Sequence, residues 1–407
     1  MGGLMVDRKY YLCLLGYYIN IGILGVYIPW KLLELTGTAT AVGAMLCIRA
    51  LPGLLIGSFT GKIVDRMDKR KLVALSCFIS ILCLAIFILC QSVLMNATGL
   101  YIIIAVGSIS NTIFLASIKS YLHVMTENQQ CVGVANSKSE TSIQLGNIIG
   151  TAAGGALTAL SSPTLTLGLV SLILAYVAFQ VMFLPEEILE TVHDEKSGPK
   201  VAETGSLLQQ PVIFPVLSIM LIPMIFLQMF NILLGPISKE GMHITAEGFG
   251  YLNASYSLGA VAMSLALNRL IHTRSSLLLF VSGLSVAIFN MLLPFSTSLV
   301  TGVVATMLIG ATIVWARVMA NAVLMQKVNS SQAGQLQALI LNMHYCTVFI
   351  AGLLFGYLAD KFGYQSVYFS MAMLVVFLMF IGLAVVLFVK KENMASKALK
   401  LSDAGEE

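Results

Sequence analysis

Runs of about twenty mostly apolar residues recur along the whole chain, and they limit its fold more than any single motif. A helix crossing a hydrocarbon core of about 30 Å needs about 20 such residues. Twelve stretches reach that length, at roughly 10–32, 41–63, 72–92, 98–121, 135–160, 163–184, 212–236, 246–270, 276–294, 299–323, 334–358 and 366–389. Composition removes the soluble alternative: of 407 residues 58% are hydrophobic and 10% charged, with a mean hydropathy of +0.90. An ordinary soluble domain is about 25% charged, and too few polar side chains remain here to cover a globular surface. The expected fold class is therefore all-α and integral to the membrane, with twelve transmembrane helices. The first run follows Asp7, Arg8 and Lys9, is long enough to span and has no small-residue cleavage site after it, so it reads as the first helix.

Most connections are short. The exception begins at Pro185 and runs to Gln210, carrying Glu186, Glu187, Glu190, Asp194, Glu195, Lys196, Lys200 and Glu203. It divides the helices six and six, which gives an N-terminal bundle over 1–184, a cytoplasmic linker over 185–210, a C-terminal bundle over 211–390 and a cytoplasmic tail over 391–407. Lys and Arg collect on the cytoplasmic side of membrane proteins. With both termini cytoplasmic, seventeen of the twenty-three Lys and Arg residues fall on the inner side or its edge. Lys31, Lys239 and Lys361 fall outside, and Arg49, Lys119 and Arg317 lie within spans.

The halves repeat each other at an offset of about 200 residues. Gly150 and Gly154 match Gly352 and Gly356, while Asp65-Arg66 matches Asn268-Arg269, followed by His272 and Arg274. Two similar halves facing each other place a substrate site near the bilayer midplane. Seven cysteines, of irregular spacing and with no CxxC pair, read as small apolar residues with no disulfide framework and no metal site. No P-loop, HExxH, GxSxG or His/Cys ligand cluster is present, so an enzyme is not expected, and nothing points to nucleic acid.

Two loop and helix motifs carry a family resemblance. The segment Gly61-Lys-Ile-Val-Asp65-Arg66-Met-Asp68-Lys69-Arg70 resembles the loop 2–3 signature of the major facilitator superfamily, G-x-x-x-D-R-x-G-R-R/K, with Asp68 where that pattern has glycine. The resemblance implies a cytoplasmic conformational latch built from Gly61, Asp65, Arg66 and Arg70, in which the Asp65 carboxylate pairs with Arg and faces a helix N-terminus of the other half. In the fifth apolar run, Gly146, Gly150, Gly154 and Gly155 resemble the antiporter motif of the same superfamily, G-x-x-x-G-P-x-x-G-G. Thr151 replaces its proline and Ser137 a leading glycine. Glycines four residues apart give a smooth face for another helix, whether for rocking or for plain close packing. The phrases Arg49-Ala-Leu-Pro-Gly, Met67-Asp-Lys-Arg-Lys-Leu, Ala135-Asn136, Gln144-Leu145 and Gly356-Tyr-Leu-Ala-Asp360-Lys361-Phe-Gly363 look like the bacterial drug, macrolide and siderophore efflux branch.

The resemblance implies two pseudo-symmetric six-helix bundles, no bound cofactor, a proton gradient as energy source, a monomer and a bacterial inner-membrane location. The implied activity is proton-coupled efflux of a small organic molecule (a drug, a siderophore or other metallophore, or an acidic metabolite) by alternating access. An uptake carrier or facilitator with the same fold is the alternative reading.

A charge at mid-membrane costs roughly 2.5–3.5 kcal/mol on insertion scales, so each one there needs a reason. Arg49 reads either as a cavity cation or as a side chain reaching the outer headgroups. Arg317 is placed deeper and reads as a cavity residue, whereas Lys119 lies near the inner end of its helix. Glu140 and His344 are the groups able to exchange a proton, each with a purely structural alternative. Tyr17, Tyr18, Asn20, Gln144, Asn147, Gln228, Asn231, Asn342 and Tyr345 complete a polar chamber, or individually join helices. Met220, Met224, Phe226, Met229 and Phe230 form either an adaptable cavity wall or lipid-facing filler. With Arg49, Lys119, Arg317 and His344 against the single Glu140, the interior leans positive, which favours an anionic or zwitterionic substrate at least as much as a lipophilic cation.

Overall fold

The computed structural model describes residues 8–126, 132–160, 162–185, 213–270, 276–327 and 330–379. The linker and tail expected at 185–210 and 391–407, apart from Pro185, lie outside the described residues. So do Cys131, His272 and Arg274, and the side chains of Gly61, Asp65, Arg66, Asn136, Asn268 and Arg269.

Twelve long helices follow one another: α1 Arg8–Thr36, α2 Ala39–Arg66, α3 Lys69–Leu89, α4 Ala97–Thr126, α5 Val132–Ala159, α6 Pro163–Met182, α7 Ile213–Pro236, α8 Ala246–Leu270, α9 Ser276–Asn290, α10 Leu299–Lys327, α11 Ser330–Phe362 and α12 Tyr364–Met379. The expected spans fall on these helices one for one, with ends displaced by a few residues, and the last part of the twelfth, 380–389, lies outside the described residues. A short turn, Gln91–Leu94, precedes α4, and a π-helical turn, Ile237–Gly241, continues α7.

The ends follow local chemistry. Thr38, Asp68 and Ser162 cap α2, α3 and α6, their side chains accepting from the N–H of Ala41, Arg70 and Leu165. Gly37 (φ 67) and Gly363 (φ 81) stop α1 and α11 in the left-handed region, where residues with a Cβ are strained. Their N–H groups donate to the carbonyls of Leu33 and Ala359.

Among the described residues, eight helices are long and apolar enough to cross a membrane by length and composition. Large apolar side chains such as Phe78, Leu89, Leu172, Phe179, Val300 and Phe377 are exposed, as lipid contact requires. Helices α2, α5, α8 and α12 are not among the eight; the apolar parts of α2 and α12, Ala39–Leu55 and Tyr364–Met379, are shorter.

Within the first six helices α1 packs on α5 and α6, α3 on α4 and α6, and α2 on α4. The second six repeat the plan, with α7 on α11, α9 on α10 and α8 on α10. The two bundles meet along two seams, α2 against α11 and α5 against α8. These seams exchange places under the same two-fold relation. Met220, Met224, Phe226, Met229 and Phe230 of α7 are all buried, Phe230 stacking on Tyr256 of α8 at 4.8 Å. Lipid-facing filler is therefore not their role.

Candidate functional site

The seams sit towards one face of the molecule, called here the α1–α2 face after the Gly37 turn. Helices α2 and α11 approach until a Cβ on Gly43 would lie 2.2 Å from the carbonyl oxygen of Gly352. In the other seam a Cβ on Gly155 would lie 2.8 Å from the Cα of Gly250. Only glycine permits backbones this close. Across the same face Trp30 of α1 meets Phe249 of α8, ring centroids 5.4 Å apart.

Beneath these contacts lies a cavity of about 1080 Å³, its opening included. Its polar lining comprises Tyr17 and Asn20 from α1, Arg49 from α2, Ser80 from α3, Ser108 and Asn111 from α4, Asn231 from α7 and Asn253 from α8. Arg49 is its one charged side chain among the described residues. At a rise of 1.5 Å per residue, Arg49 lies about 15 Å along α2 from Ala39, half of a bilayer core. It is accessible, and Tyr17 and Tyr18 of α1 and Tyr345 of α11 all lie within reach of its charge. Arg49 lines the cavity, as one of its two sequence readings expects. The Tyr17 hydroxyl donates to Asn111 Oδ1 at 3.3 Å, and its ring stacks on Phe114 with centroids 3.4 Å apart. Asn20 is 4% exposed and its Oδ1 has no hydrogen-bond partner among the described residues. A buried amide oxygen left unpaired costs about 1–3 kcal/mol, so it suits a ligand donor.

Of the residues singled out from the sequence, Tyr17, Asn20, Arg49 and Asn231 meet in this cavity. Gln228 is one turn away and buried, accepting from Asn231 Nδ2 at 3.4 Å. His344 and Arg317 do not line it, but His344 lies within electrostatic reach of both Arg49 and Arg317. Lys119 and Glu140 are exposed, and Gln144 is half-buried on α5. Glu140 has no ion-pair partner among the described residues; the groups that feel its charge are Tyr10 and Tyr18. Asn342 is exposed on α11. Asn111, Asn253, Ser80 and Ser108 were not singled out. The available signal was an amide in an apolar run: Asn111 in Ile-Ser-Asn-Thr and Asn253 in Leu-Asn-Ala.

The two sequence motifs divide their labour. Gly146, Gly150 and Gly154 all face α1, where added Cβ atoms would meet Leu15, Ile19 and Ile23. They join helices within one bundle. Gly155 alone of the four faces the other bundle, at Gly250. Gly352 and Gly356 face α2 across the seam. The functional mates of those two glycines are thus Thr151 and Gly155, one residue away from the pairing with Gly150 and Gly154 that the repeat suggests.

At the opposite face, Asp68 replaces the signature glycine and caps α3. It accepts from the Arg70 N–H at 3.0 Å and pairs with the Arg70 guanidinium at 3.1 Å, while Arg70 Nη1 donates to the Leu184 carbonyl at 2.8 Å. Partial burial pushes the Asp68 carboxyl up, but the hydrogen bonds and charge of Arg70 outweigh it and hold the group below the usual carboxylate range.

The Major Facilitator Superfamily profile matches the chain twice, over residues 10–236 and 224–404. Among solved structures, the nucleoside transporter NupG is similar with a TM-score of 0.74 at 13% identity, covering 93% of this chain and 99% of that one. A point mutant of the same transporter gives a TM-score of 0.73 at 14% identity, with the same coverage. At such identity the likeness establishes the fold alone. No curated protein sequence matches the chain.

Proposed function

The chain belongs to the major facilitator superfamily, a multi-pass membrane protein with a secondary transporter's fold, and from that premise we propose that it exports a small anionic or zwitterionic organic molecule in exchange for protons. One observation carries the choice of substrate: the enclosed cavity holds a single charged side chain, the Arg49 guanidinium, and no carboxylate among the described residues. A cation entering that space would meet an uncompensated positive charge, whereas a carboxylate or phosphate gains charge-assisted hydrogen bonds. The amides of Asn20, Asn111, Asn231 and Asn253 would then select the rest of the ligand by donors and acceptors. Cytoplasmic termini are supported by the placement of Lys and Arg, and export from a bacterial cytoplasm by the resemblance of the α5 glycine run to the antiporter motif.

One observation favours the second reading, an uptake carrier. Negative charge brought to Arg49 and a proton brought to His344, which lies within electrostatic reach of Arg49, attract one another, so anion and proton would bind together. Co-transport uses that coupling directly, whereas exchange requires the two to alternate. Thr151, in place of the motif's proline, points the same way. Transport of anionic candidates into inverted vesicles, with pH gradients imposed in either direction, separates the readings. Accumulation driven by an acidic lumen supports exchange, and accumulation driven by an acidic exterior supports co-transport. Movement indifferent to a protonophore excludes both forms of proton coupling.

A further inference from the structure

At the α1–α2 face a carboxylate of the C-terminal half ends its own helix against the first turn of a helix in the N-terminal half. Asp360 lies in the last turn of α11, three residues before Gly363 turns the chain. Its Oδ1 accepts from the Ala39 N–H at 2.7 Å, and its Oδ2 accepts from the Thr40 N–H at 2.8 Å and from the Thr40 hydroxyl. Ala39 and Thr40 open α2, and the first amides of a helix have no carbonyl partner within it. The helix's own cap, Thr38, reaches only the Ala41 N–H, at 3.4 Å. So α2 takes most of its cap from the other bundle, through bonds that carry a full negative charge to the positive end of a helix.

The other seam has no counterpart among the described residues. Glu247, in the first turn of α8, accepts from Tyr251 of its own helix at 2.6 Å, and the seam itself is closed by the Gly155–Gly250 backbone contact.

We propose that Asp360 is the latch of the α1–α2 face, and that its withdrawal from the first turn of α2 is a step of the cycle whenever that face opens. Opening separates α2 from α11 and breaks all three bonds together. That gives the motion one defined release point at the rim, beside the Gly356–Ala39 approach. Nothing in this step depends on the identity of substrate or coupling ion, so it stands or falls separately from the proposed export.

Hydrogen–deuterium exchange of the full chain in lipid nanodiscs tests it, comparing the wild type with Asp360→Asn and Thr40→Val, neither of which changes side-chain size much. For Asp360→Asn, exchange is expected to quicken on the order of tenfold, as for loss of a charge-assisted bond. It should do so both at residues 39–45 and in the untouched α5–α8 seam, at residues 151–155 and 246–250. Thr40→Val removes one bond of three and should give the same two-seam response at smaller size. Faster exchange confined to residues 39–41, or no change in either seam, would overturn the proposal and leave Asp360 a local cap. If Asp360→Asn does not yield folded protein, Thr40→Val decides by the same criterion.

Discussion

The two seams are equivalent by symmetry and unlike in chemistry. The α5–α8 seam is held by backbone packed on backbone at Gly155 and Gly250, with the Thr151 carbonyl against the same glycine. The α2–α11 seam adds side chains along its length: Asp360 at the rim, then Cys47 bonding the Phe349 carbonyl at 3.3 Å, then the Tyr345 ring packed over Gly53. Tyr345 is also a neighbour of Arg49, so this second seam reaches down to the charge in the cavity. A plain glycine seam can rock without choosing a position. A seam that carries a latch at one end and touches the cavity at the other can report occupancy to the rim. The two seams share their geometry and differ in a few side chains, and the proposed latch would make the α2–α11 seam the controlling one.

A large effect should come from wedging the seams. Gly43→Val places a Cβ within 2.2 Å of the Gly352 carbonyl oxygen, against backbone that cannot step aside. Transport is expected to fall more than about tenfold with insertion intact, because packed interiors do not absorb a misplaced methyl group. Gly250→Val, whose Cβ would meet the Gly155 Cα at 2.6 Å, should do the same. If both variants transport normally, the seams do not govern access. A smaller effect is expected on the other face from Asp65→Asn: normal membrane insertion, measured by protease protection, with slower transport. Unaltered transport would reduce that loop to a topology signal.

The smallest effect is local. Asp68→Ala removes the α3 cap and should lower stability by about 0.5–2 kcal/mol, as such caps do. The Asp68 carboxyl titrates below its unfolded value of about 3.9, so its contribution is present above that value and disappears as pH falls through the lower, folded one. Thermal unfolding of wild type and variant should therefore differ at pH 6 to 8 and converge in strong acid. A difference that persists in strong acid would assign the effect to packing and not to the carboxylate.

Much of this was readable in the chain. Hydrocarbon thickness sets helix length, so twelve apolar runs became twelve helices, and the two halves followed from the repeat. Arg49 was legible as costly in lipid, but its sequence position alone left headgroup and cavity open. The cavity reading gains support from the residues gathered around Arg49, which come from α1, α3, α4, α7 and α8. Asn111 and Asn253 escaped because a single amide in an apolar run resembles interhelical glue until its facing direction is known. Asp360 read as a charge at a helix end, since its partners lie 320 residues away. The one-residue offset between Gly154 and Gly155 was hidden for a similar reason. Spacing shows that a helix has a glycine face, but packing decides which neighbour that face meets.

Uptake into inverted vesicles by wild type, Arg49→Lys and Arg49→Ala, offered matched anionic, zwitterionic and cationic compounds, bears most directly on a cavity whose one charge among the described residues is Arg49. The expected result is accumulation of an anionic or zwitterionic compound, reduced in Arg49→Lys, which loses the planar fork, and abolished in Arg49→Ala. Accumulation of a lipophilic cation at equal rates in all three proteins would contradict it.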